Sequence, residues 1–310
     1  MTTKYINKTT INKLLKEHYL IVELIGSGSF GEVYLAEDKK QKKYALKIEG
    51  LKKTKLSKEY KVYKDMKLAN VYNVPKVHQY LKTDDYNILV MDLLGPSLEE
   101  LFTMYDKHLS LFTVLKIGVC IIDVIRDFHN AGYVHRDIKP NNFLVGRFDK
   151  AEIIYIMDFG LSKKYINNGK HIEESKINSV IGTPRYVSIN VHNGIEPSRR
   201  DDLESICYML IYFIKGKLPW QDIKTNKQEQ HNEDFKKNTK QNKYSKIGEI
   251  KSNISTTDLT IDLPSCFKKS LDYIKQLSFE ETPDYEYIKS LFQNTLNKNT
   301  KNTQFPWISQ

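Results

Sequence analysis

The sequence is short of cysteine and of long apolar segments, and both shortages exclude classes of protein. Its 310 residues include three cysteines and no C-x-x-C pair, which predicts buried free thiols in a reducing compartment instead of a disulfide scaffold. No segment reaches the roughly 18–20 uncharged apolar residues of a membrane-spanning helix. Lys and Asn interrupt the N-terminal apolar residues, so we expect no signal peptide there. These absences predict a soluble cytoplasmic or nuclear protein with no membrane partner.

Arginine is also scarce, whereas lysine is abundant. The 48 Lys and Arg against 38 Asp and Glu give a formal net charge of +10, which permits an acidic partner but does not require one. The lysines are dispersed and lack interleaved aromatic residues, so no specific nucleic-acid partner is predicted. A chain that uses lysine almost everywhere is expected to keep arginine where a planar, bidentate donor is needed. The six arginines are Arg126, Arg136, Arg147, Arg185, Arg199 and Arg200.

The apolar residues that are present suffice for a large core, at 40% hydrophobic and 11% aromatic content. Apolar and polar residues alternate within 17–50 and around 77–94, which predicts strands, and a short helix is predicted over 58–70. From Ser97 onward the apolar spacing becomes helical, most clearly in 112–132 and 203–216. The pattern predicts an α+β fold with a small β-rich lobe and a larger helical lobe that share a cleft.

Two segments near the C-terminal end have little apolar content. Residues 224–240 are almost entirely polar, which predicts an exposed loop or a flexible insertion. From Gln293 the chain is rich in Asn and Lys but carries aromatic residues within 305–308. We interpret 293–310 as a tail whose aromatic end docks back onto the domain.

Gly26, Gly28 and Gly31 form a G-x-G-x-x-G motif that two unrelated nucleotide-binding structures share. In a dinucleotide-binding fold this glycine turn must open a helix. Residues 32–36 instead alternate as a strand does, which favours a glycine hairpin over nucleotide phosphates, where missing side chains let backbone amides approach the anion. A glycine-rich hairpin without a ligand is the alternative.

Lys47 lies in the middle of a predicted strand and shares a face with Ala45. A lysine on a packed face needs an anionic partner, because burying an unpaired ammonium is costly. Phosphate oxygens under the glycine hairpin are one such partner, and Glu59 in the following helix is another. The alternatives are a solvated strand lysine and a solvated glutamate on a helix surface.

The segment from His135 to Asn142 carries the most specific pattern of polar residues. Asp137 is followed by Lys139 two positions later and by Asn142 five positions later. One loop with this spacing can present a base for a hydroxyl, a cation for a phosphoryl group and an oxygen ligand for Mg²⁺. Asp158, in a D-F-G sequence after a predicted strand, adds the carboxylate ligand that Mg²⁺ usually takes.

These motifs together resemble a eukaryotic protein kinase over about residues 19–292. Lys139 after Asp137 resembles the serine/threonine branch, and further segments resemble the casein kinase 1 family. They are 93–102, 135–144, 158–165, 188–190, 198–205, 215–221 and 283–292. The Ser-Ile-Asn at 188–190 stands where most kinases carry Ala-Pro-Glu, a departure that this family shares. The resemblance implies the bilobal protein-kinase fold, with an ATP cleft between an N-lobe (1–93) and a C-lobe (94–292).

The resemblance also implies roles for the matching residues in ATP- and Mg²⁺-dependent phosphoryl transfer. Asp137 would be the catalytic base and Lys139 the partner of the γ-phosphate. Asn142 and Asp158 would bind the metal. Lys47, paired with Glu59, would hold the α- and β-phosphates. The residues implied to bind ATP are Ile25, Gly26, Ser27, Gly28, Ser29, Phe30, Gly31, Glu32, Val33, Ala45, Lys47, Met91, Asp92, Leu94, Leu144 and Met157.

For substrates, the resemblance implies a monomeric kinase that acts on proteins with an acidic or phosphorylated residue upstream of the target hydroxyl. Arg185 and Lys243 match the two cations of the family's anion site. Asp222 stands where the family has glycine, and the polar stretch 224–240 is longer than its counterpart. The resemblance further implies activity without phosphorylation of the segment between Asp158 and Arg185.

Other interpretations remain open. A catalytically silent kinase-fold scaffold would need a lesion at one of the four central residues, and Lys47, Asp137, Asn142 and Asp158 are all intact. A small-molecule kinase shares the H-x-D-x-x-x-x-N pattern but would lack the peptide-side segment 182–190. Two further predictions are structural: His135 packs as a neutral histidine, and the segment 199–202 (Arg-Arg-Asp-Asp) forms an ion-pair network.

Overall fold

Five strands in the first third of the chain form one antiparallel sheet. They are β1 (Tyr19–Gly28), β2 (Gly31–Asp38), β3 (Lys43–Gly50), β4 (Val77–Lys82) and β5 (Tyr86–Asp92). Their order in the sheet is β1-β2-β3-β5-β4. β3 is the central strand and is buried along almost its whole length, including Lys47. The predicted alternating strands are therefore found, as is the predicted β-rich lobe.

The structure, a computed structural model, describes residues 15, 18–28, 31–51, 55–221, 233–298 and 304–308. For 233–241 it describes the backbone alone.

Helix α1 (Lys55–Leu68) packs against β5 and against the turn that follows Asp158. Its buried face is formed by Leu56, Val62, Tyr63 and Met66, together with Glu59. These residues recur at the spacing of three or four that places side chains on one side of a helix. Glu59 is thus a carboxylate on an otherwise apolar face, which positions it beneath the sheet.

The larger lobe is helical, as the sequence predicts. Its helices are α2 (Leu98–Met104), α3 (Leu111–Asn130), α4 (Ile189–His192), α5 (Arg199–Lys215), α6 (Glu233–Asn253), α7 (Thr256–Leu259), α8 (Ser265–Gln276) and α9 (Tyr285–Lys298). α5 is buried on all sides because α3 and α8 pack against it. It ends at Gly216, whose φ of 75° is left-handed and reverses the chain. Among the described residues no helix is long and apolar enough to cross a bilayer.

Short strands between α3 and α4 carry the loops of the site. They are β6 (Tyr133–Val134), β7 (Phe143–Val145), β8 (Ile154–Ile156), β9 (Lys163–Lys164), β10 (Ile166–Asn167) and β11 (Lys170–His171). β6 pairs with β9 and β7 pairs with β8. The two strand pairs bring the loop at 135–142 beside the turn at 158–160, although these segments are not adjacent in sequence.

The predicted loop at 224–240 is wrong in part. Residues 233–240 form the first turns of α6, and 222–232 lie outside the described residues. The polar residues at 233–240 include Glu, Lys and Gln, which are good helix formers. Apolar anchoring comes later in the same helix, from Ile247 and Ile250. Low apolar content predicts a loop, whereas the exposed part of a helix needs no apolar residues.

The C-terminal end docks onto the domain, as predicted, although α9 continues to Lys298 and so passes the start of the predicted tail at Gln293. Phe305 is 1% exposed and stacks on Trp307, with ring centroids 4.5 Å apart. Lys116 of α3 lies over the Phe305 ring at 4.3 Å. The Trp307 indole donates to the carbonyl of Ala151 at 3.2 Å. These contacts fasten the aromatic segment to the helical lobe.

Candidate active site

A cavity of about 670 Å³ lies between the sheet and the helical lobe. Pockets for small ligands commonly have volumes of about 300–1,000 Å³, so this cavity is large enough for a nucleotide. The residues predicted to bind ATP that line it are Ile25, Gly26, Ser27, Gly28, Gly31, Val33, Ala45, Lys47, Met91, Asp92, Leu94, Leu144 and Met157. Both predicted metal ligands, Asn142 and Asp158, line it too. The apolar walls therefore lead to a polar end.

Among the described residues predicted to bind ATP, Glu32 does not line this cavity. Glu32 instead accepts a hydrogen bond from the Tyr34 hydroxyl at 2.6 Å. Because successive strand residues point to opposite faces, Val33 faces the cavity while Glu32 and Tyr34 face away. The prediction for the Glu32 side chain is corrected accordingly. Ser29 and Phe30 lie outside the described residues.

Gly31 lets the glycine hairpin approach the next strand closely. Its φ is 127°, and a Cβ at this position would lie 2.3 Å from the carbonyl oxygen of Ile48. Neither the dihedral angle nor the space suits a side chain. Gly28 pairs directly opposite Gly31, so neither residue of this pair places a side chain over the cavity. This is the geometry in which amides can approach an anion.

Lys47 forms two ion pairs at the inner end of the cavity. Its Nζ lies 2.7 Å from Oε2 of Glu59 and 2.9 Å from Oδ1 of Asp158. Burial acts to lower the pKa of Lys47, but the two carboxylates outweigh burial and raise the pKa above its ordinary value. Burial likewise acts to raise the pKa of Asp158, but Lys47 brings that pKa below its ordinary value. Lys47 and Asp158 are therefore both charged near neutral pH.

The Asp137 carboxylate is held on both of its oxygens. Oδ1 accepts from the Thr183 hydroxyl at 2.7 Å, and Oδ2 accepts from Lys139 Nζ at 2.5 Å. The Asn142 amide donates to the Asp137 carbonyl at 2.8 Å. Asp137 is buried, with 4% of its surface exposed. The loop therefore presents a fixed carboxylate next to a residue of the cavity wall.

His135 fixes the same loop from behind. It is fully buried, and its Nδ1 accepts from the backbone N–H of Asp137 at 3.2 Å. Its Nε2 lies 3.1 Å from the carbonyl of Met157 and must donate, since a carbonyl only accepts. One accepting and one donating nitrogen describe a neutral ring. The hydrogen bonds thus agree with the packing role predicted for His135.

Two residues of the site have left-handed backbone angles that side chains rarely adopt. Arg136 and Asp158 both have φ of 67°, and such conformations cost on the order of 1–3 kcal/mol each. The buried Asp202 carboxylate holds the first of them. It accepts from the backbone N–H groups of His135 and Arg136 at 2.7 and 2.9 Å, and His129 Nε2 lies 2.9 Å away. The strained residues therefore lie in the loop at 135–142 and at the start of the turn at 158–160.

The predicted ion-pair network of 199–202 is mostly a set of hydrogen bonds. Arg199 donates to the Glu280 carbonyl at 2.5 Å, and Arg200 donates to the Leu277 carbonyl at 2.9 Å. The contact between Arg200 and Asp201 is 3.8 Å long. Asp201 instead accepts from Ser188 Oγ at 2.6 Å. The segment 199–202 has a structural role, as predicted, because its side chains connect separate segments of the helical lobe.

The two residues predicted to bind substrate phosphate lie on different elements. The Arg185 guanidinium is half-buried and lies over the rings of Tyr186 and Tyr212, at 5.7 and 5.3 Å. Among the described residues it forms no ion pair, and it donates to the Tyr186 hydroxyl at 3.3 Å. Lys243 is exposed on α6. Asp222 lies outside the described residues.

The polar end of the cavity suits a hard divalent cation. Asp158 offers an ionised carboxylate, and the Asn142 amide nitrogen is occupied by the Asp137 carbonyl, which leaves Oδ1 of Asn142 as a ligand. Mg²⁺ prefers oxygen ligands and commonly takes only one or two from protein carboxylates, completing its shell with phosphate and water. The donor set therefore fits a metal–nucleotide complex.

The fold and this cleft define a phosphotransferase that binds its nucleotide between two lobes. Residues 19–302 match the family model described as the protein kinase domain, and the chain belongs to that family. Protein kinases use ATP, generally with a divalent metal ion.

Three residues make contacts in the site or its surroundings that are not evident from the sequence: Thr183, Asp202 and Lys251. Thr183 lies in the G-T-P-R-Y segment that carries Arg185, but its partner Asp137 is 46 residues away in sequence. Asp202 and Lys251 bond to backbone groups more than 60 residues away. Backbone partners leave no sequence pattern.

Proposed function

We propose that the chain is an active serine/threonine kinase of casein kinase 1 type that uses Mg·ATP and modifies acidic or pre-phosphorylated proteins. The observation that carries the proposal is the Asp137 carboxylate, which is buried and fixed between Thr183 and Lys139. A bound Mg·ATP supplies the phosphoryl group and neutralises part of its charge. The residues proposed for that chemistry lie together, since Lys139 and Asn142 contact Asp137 and Lys47 contacts Asp158.

Three charged side chains have separate roles in the proposed reaction. Asp137 accepts the proton of the substrate hydroxyl, because its oxygens are the carboxylate atoms nearest to the peptide-side residue Thr183. Lys139 lies at hydrogen-bond distance from Asp137 and stabilises the negative charge that develops on the transferring group. Lys47, held by two carboxylates, is a rigid cation for the remaining phosphates.

The casein kinase 1 type rests on the motif resemblance, and the contacts of Ser188–Asn190 support it. Ser188 caps α4 by accepting from the Val191 N–H at 3.2 Å, and it donates to Asp201 at 2.6 Å. Asn190 also donates to Asp201, at 3.3 Å. The two polar residues thus fasten the peptide-side segment to α5 without the glutamate that most kinases have at this position.

Purified protein with Mg·ATP and an oriented peptide library tests the proposal. We expect phosphorylation of serine and threonine, with a preference for peptides that carry a phosphorylated upstream residue. Transfer to tyrosine alone would contradict the serine/threonine assignment. Binding of ATP without transfer to any peptide would favour the silent scaffold.

We predict basal activity without phosphorylation of the segment between Asp158 and Arg185. In many kinases a phosphate orders this segment by pairing with arginine. Here Glu196 supplies the negative charge in place of the phosphate, because its carboxylate lies 2.8 Å from Arg136 and 2.9 Å from Lys163. Phosphatase-treated bacterial protein should keep its full rate in a peptide assay.

Glu196→Gln should lower that rate roughly tenfold, since it removes the charge from two buried or half-buried ion pairs. Glu173→Gln, which alters an exposed carboxylate of the same segment, is the control and should change nothing. A rate that collapses on phosphatase treatment and returns with an upstream kinase would refute the prediction.

We predict that Arg185→Ala raises KM for a primed peptide by about tenfold or more, equivalent to about 1.4 kcal/mol. Two residues of extended chain span at most about 7 Å, so Arg185 lies close to Thr183 and hence to Asp137. A guanidinium that forms no ion pair with any described residue can grip a phosphate dianion. The measurement is KM for matched primed and unprimed peptides and for ATP.

KM for ATP should not change, and Arg147→Ala, which removes a guanidinium beside the exposed Phe148, should leave all three values as they are. Equal losses on primed and unprimed peptides would show that Arg185 is structural.

A further inference from the structure

Lys251 is a buried lysine that the proposed reaction does not use. It is 1% exposed, and its Nζ donates to the carbonyls of Pro184 at 2.9 Å and Val187 at 2.6 Å. The ammonium also lies 5.0 Å from the ring centroids of Tyr208 and Trp220. A lysine of α6 therefore reaches under the segment that carries Arg185.

The carbonyls on both sides of Arg185 are fixed from the same side of the segment. Trp220 donates its indole N–H to the Arg185 carbonyl at 2.7 Å. Together with Lys251, it binds the carbonyls of residues 184, 185 and 187. With its backbone held on one side, Arg185 extends its side chain over Tyr186 and Tyr212. The orientation of the guanidinium thus depends on contacts that lie beneath it.

An ammonium at this position is costly unless its hydrogen bonds compensate. Among the described residues the charged group that acts on Lys251 is Glu204, and the neighbouring His192 is uncharged near neutral pH because burial lowers its pKa to about 4. Glu204 forms no ion pair with Lys251, because its carboxylate accepts from Tyr208 at 2.6 Å and from the Ile189 N–H at 3.0 Å. Burial lowers the pKa of Lys251 to about 7. An aliphatic side chain would fill the space without this cost, so the carbonyl contacts are the distinctive contribution of the lysine.

We propose that Lys251 is a positioning residue for the peptide substrate, which anchors the carbonyls of Pro184 and Val187 and thereby orients Arg185 toward a primed substrate. The inference rests on the proposed function for the identity of the substrate. The anchoring itself is a property of the folded chain and can be measured without activity.

The first test compares wild type with Lys251→Met, which keeps the length of the side chain and removes its donors. The backbone N–H groups of Tyr186 and Val187 both donate to the Thr183 carbonyl, so their hydrogen exchange reports the order of the segment. We expect their exchange to become about tenfold faster in the variant, with the core of α5 unchanged. Lys246→Met, at an exposed position of the same helix, should leave all of these rates unchanged.

The second test is kinetic and separates positioning from general damage. Lys251→Met should raise KM for a primed peptide by about tenfold, the effect of losing two hydrogen bonds, while kcat and KM for ATP stay within about twofold. In an Arg185→Ala background the same change should add less than about threefold, because residues that act through one another are not additive. Full additivity, or an equal loss in kcat and in KM for ATP, would overturn the inference.

A second variant covers the case in which Lys251→Met does not fold. Trp220→Phe removes the indole donor to the Arg185 carbonyl but keeps an aromatic ring at this buried position, and it should raise the same KM by about threefold. An unchanged KM there would overturn the inference. If the wild type phosphorylates no peptide, the proposed function fails. Unchanged hydrogen exchange at Tyr186 and Val187 in a folded Lys251→Met or Trp220→Phe protein would separately reject the anchoring.

Discussion

Asp137→Asn should reduce kcat by about 10²–10⁴-fold, the usual effect of removing a general base. An amide has the shape of the carboxylate but cannot take up the proton of the substrate hydroxyl. Its oxygen can still accept from Lys139, and its nitrogen can donate to the Thr183 hydroxyl, so both contacts of the site survive in altered form. The loss should therefore appear in turnover, with KM for ATP and the thermal midpoint nearly unchanged.

The matched control is Asp149→Asn, an exposed aspartate of the same lobe, which should keep the wild-type rate. Retention of more than about a tenth of the wild-type rate in Asp137→Asn would contradict the assignment, because a true general base contributes at least ~10²-fold. A fall in thermal midpoint large enough to unfold the protein at assay temperature would instead assign Asp137 a structural role.

The bilobal fold could be predicted largely from short-range patterns. Alternation along 32–36 and 44–48 correctly predicted two strands, and the apolar run at 203–216 correctly predicted the buried α5. The prediction failed at 233–240, where local composition is polar and the helix is anchored by residues further along the chain. Periodicity detects a helix only where one face is buried, so an exposed beginning of a helix resembles a loop.

The site was predicted to the extent that its chemistry is carried by side chains at fixed spacing. Lys47 and Glu59 were paired on the argument that a buried ammonium needs an anion, and the structure has this contact at 2.7 Å. The resemblance implied that Glu32 binds ATP, but strand alternation turns its side chain away from the cavity. Asp202 could not be found, because its partners are backbone N–H groups brought near by the packing of α3 and α5.

Asp158→Asn should abolish the part of the nucleotide affinity that depends on the metal. The variant keeps an oxygen that can accept from Lys47, so the Lys47–Glu59 pair and the fold should persist. It loses the negative charge that a divalent cation needs, and the lowered pKa of Asp158 means that this charge is present in the wild type at assay pH. Mutation of a residue that only supports a metal ligand typically lowers metal affinity about 10–100-fold. We expect loss of the carboxylate ligand itself to weaken the metal-dependent binding of ATP by at least as much.

Calorimetric titration of ATP with Mg²⁺ and again with a chelator separates the two contributions. In the wild type, removing the metal should weaken binding. In Asp158→Asn, the affinities with and without metal should converge on the metal-free wild-type value, because the variant has lost only the metal-dependent part. Asp84→Asn, at an exposed position between β4 and β5, should titrate like the wild type. An Asp158→Asn protein that still binds ATP more tightly with Mg²⁺, to the wild-type extent, would place the metal on other ligands, since an amide oxygen alone cannot replace an ionised carboxylate for a hard cation.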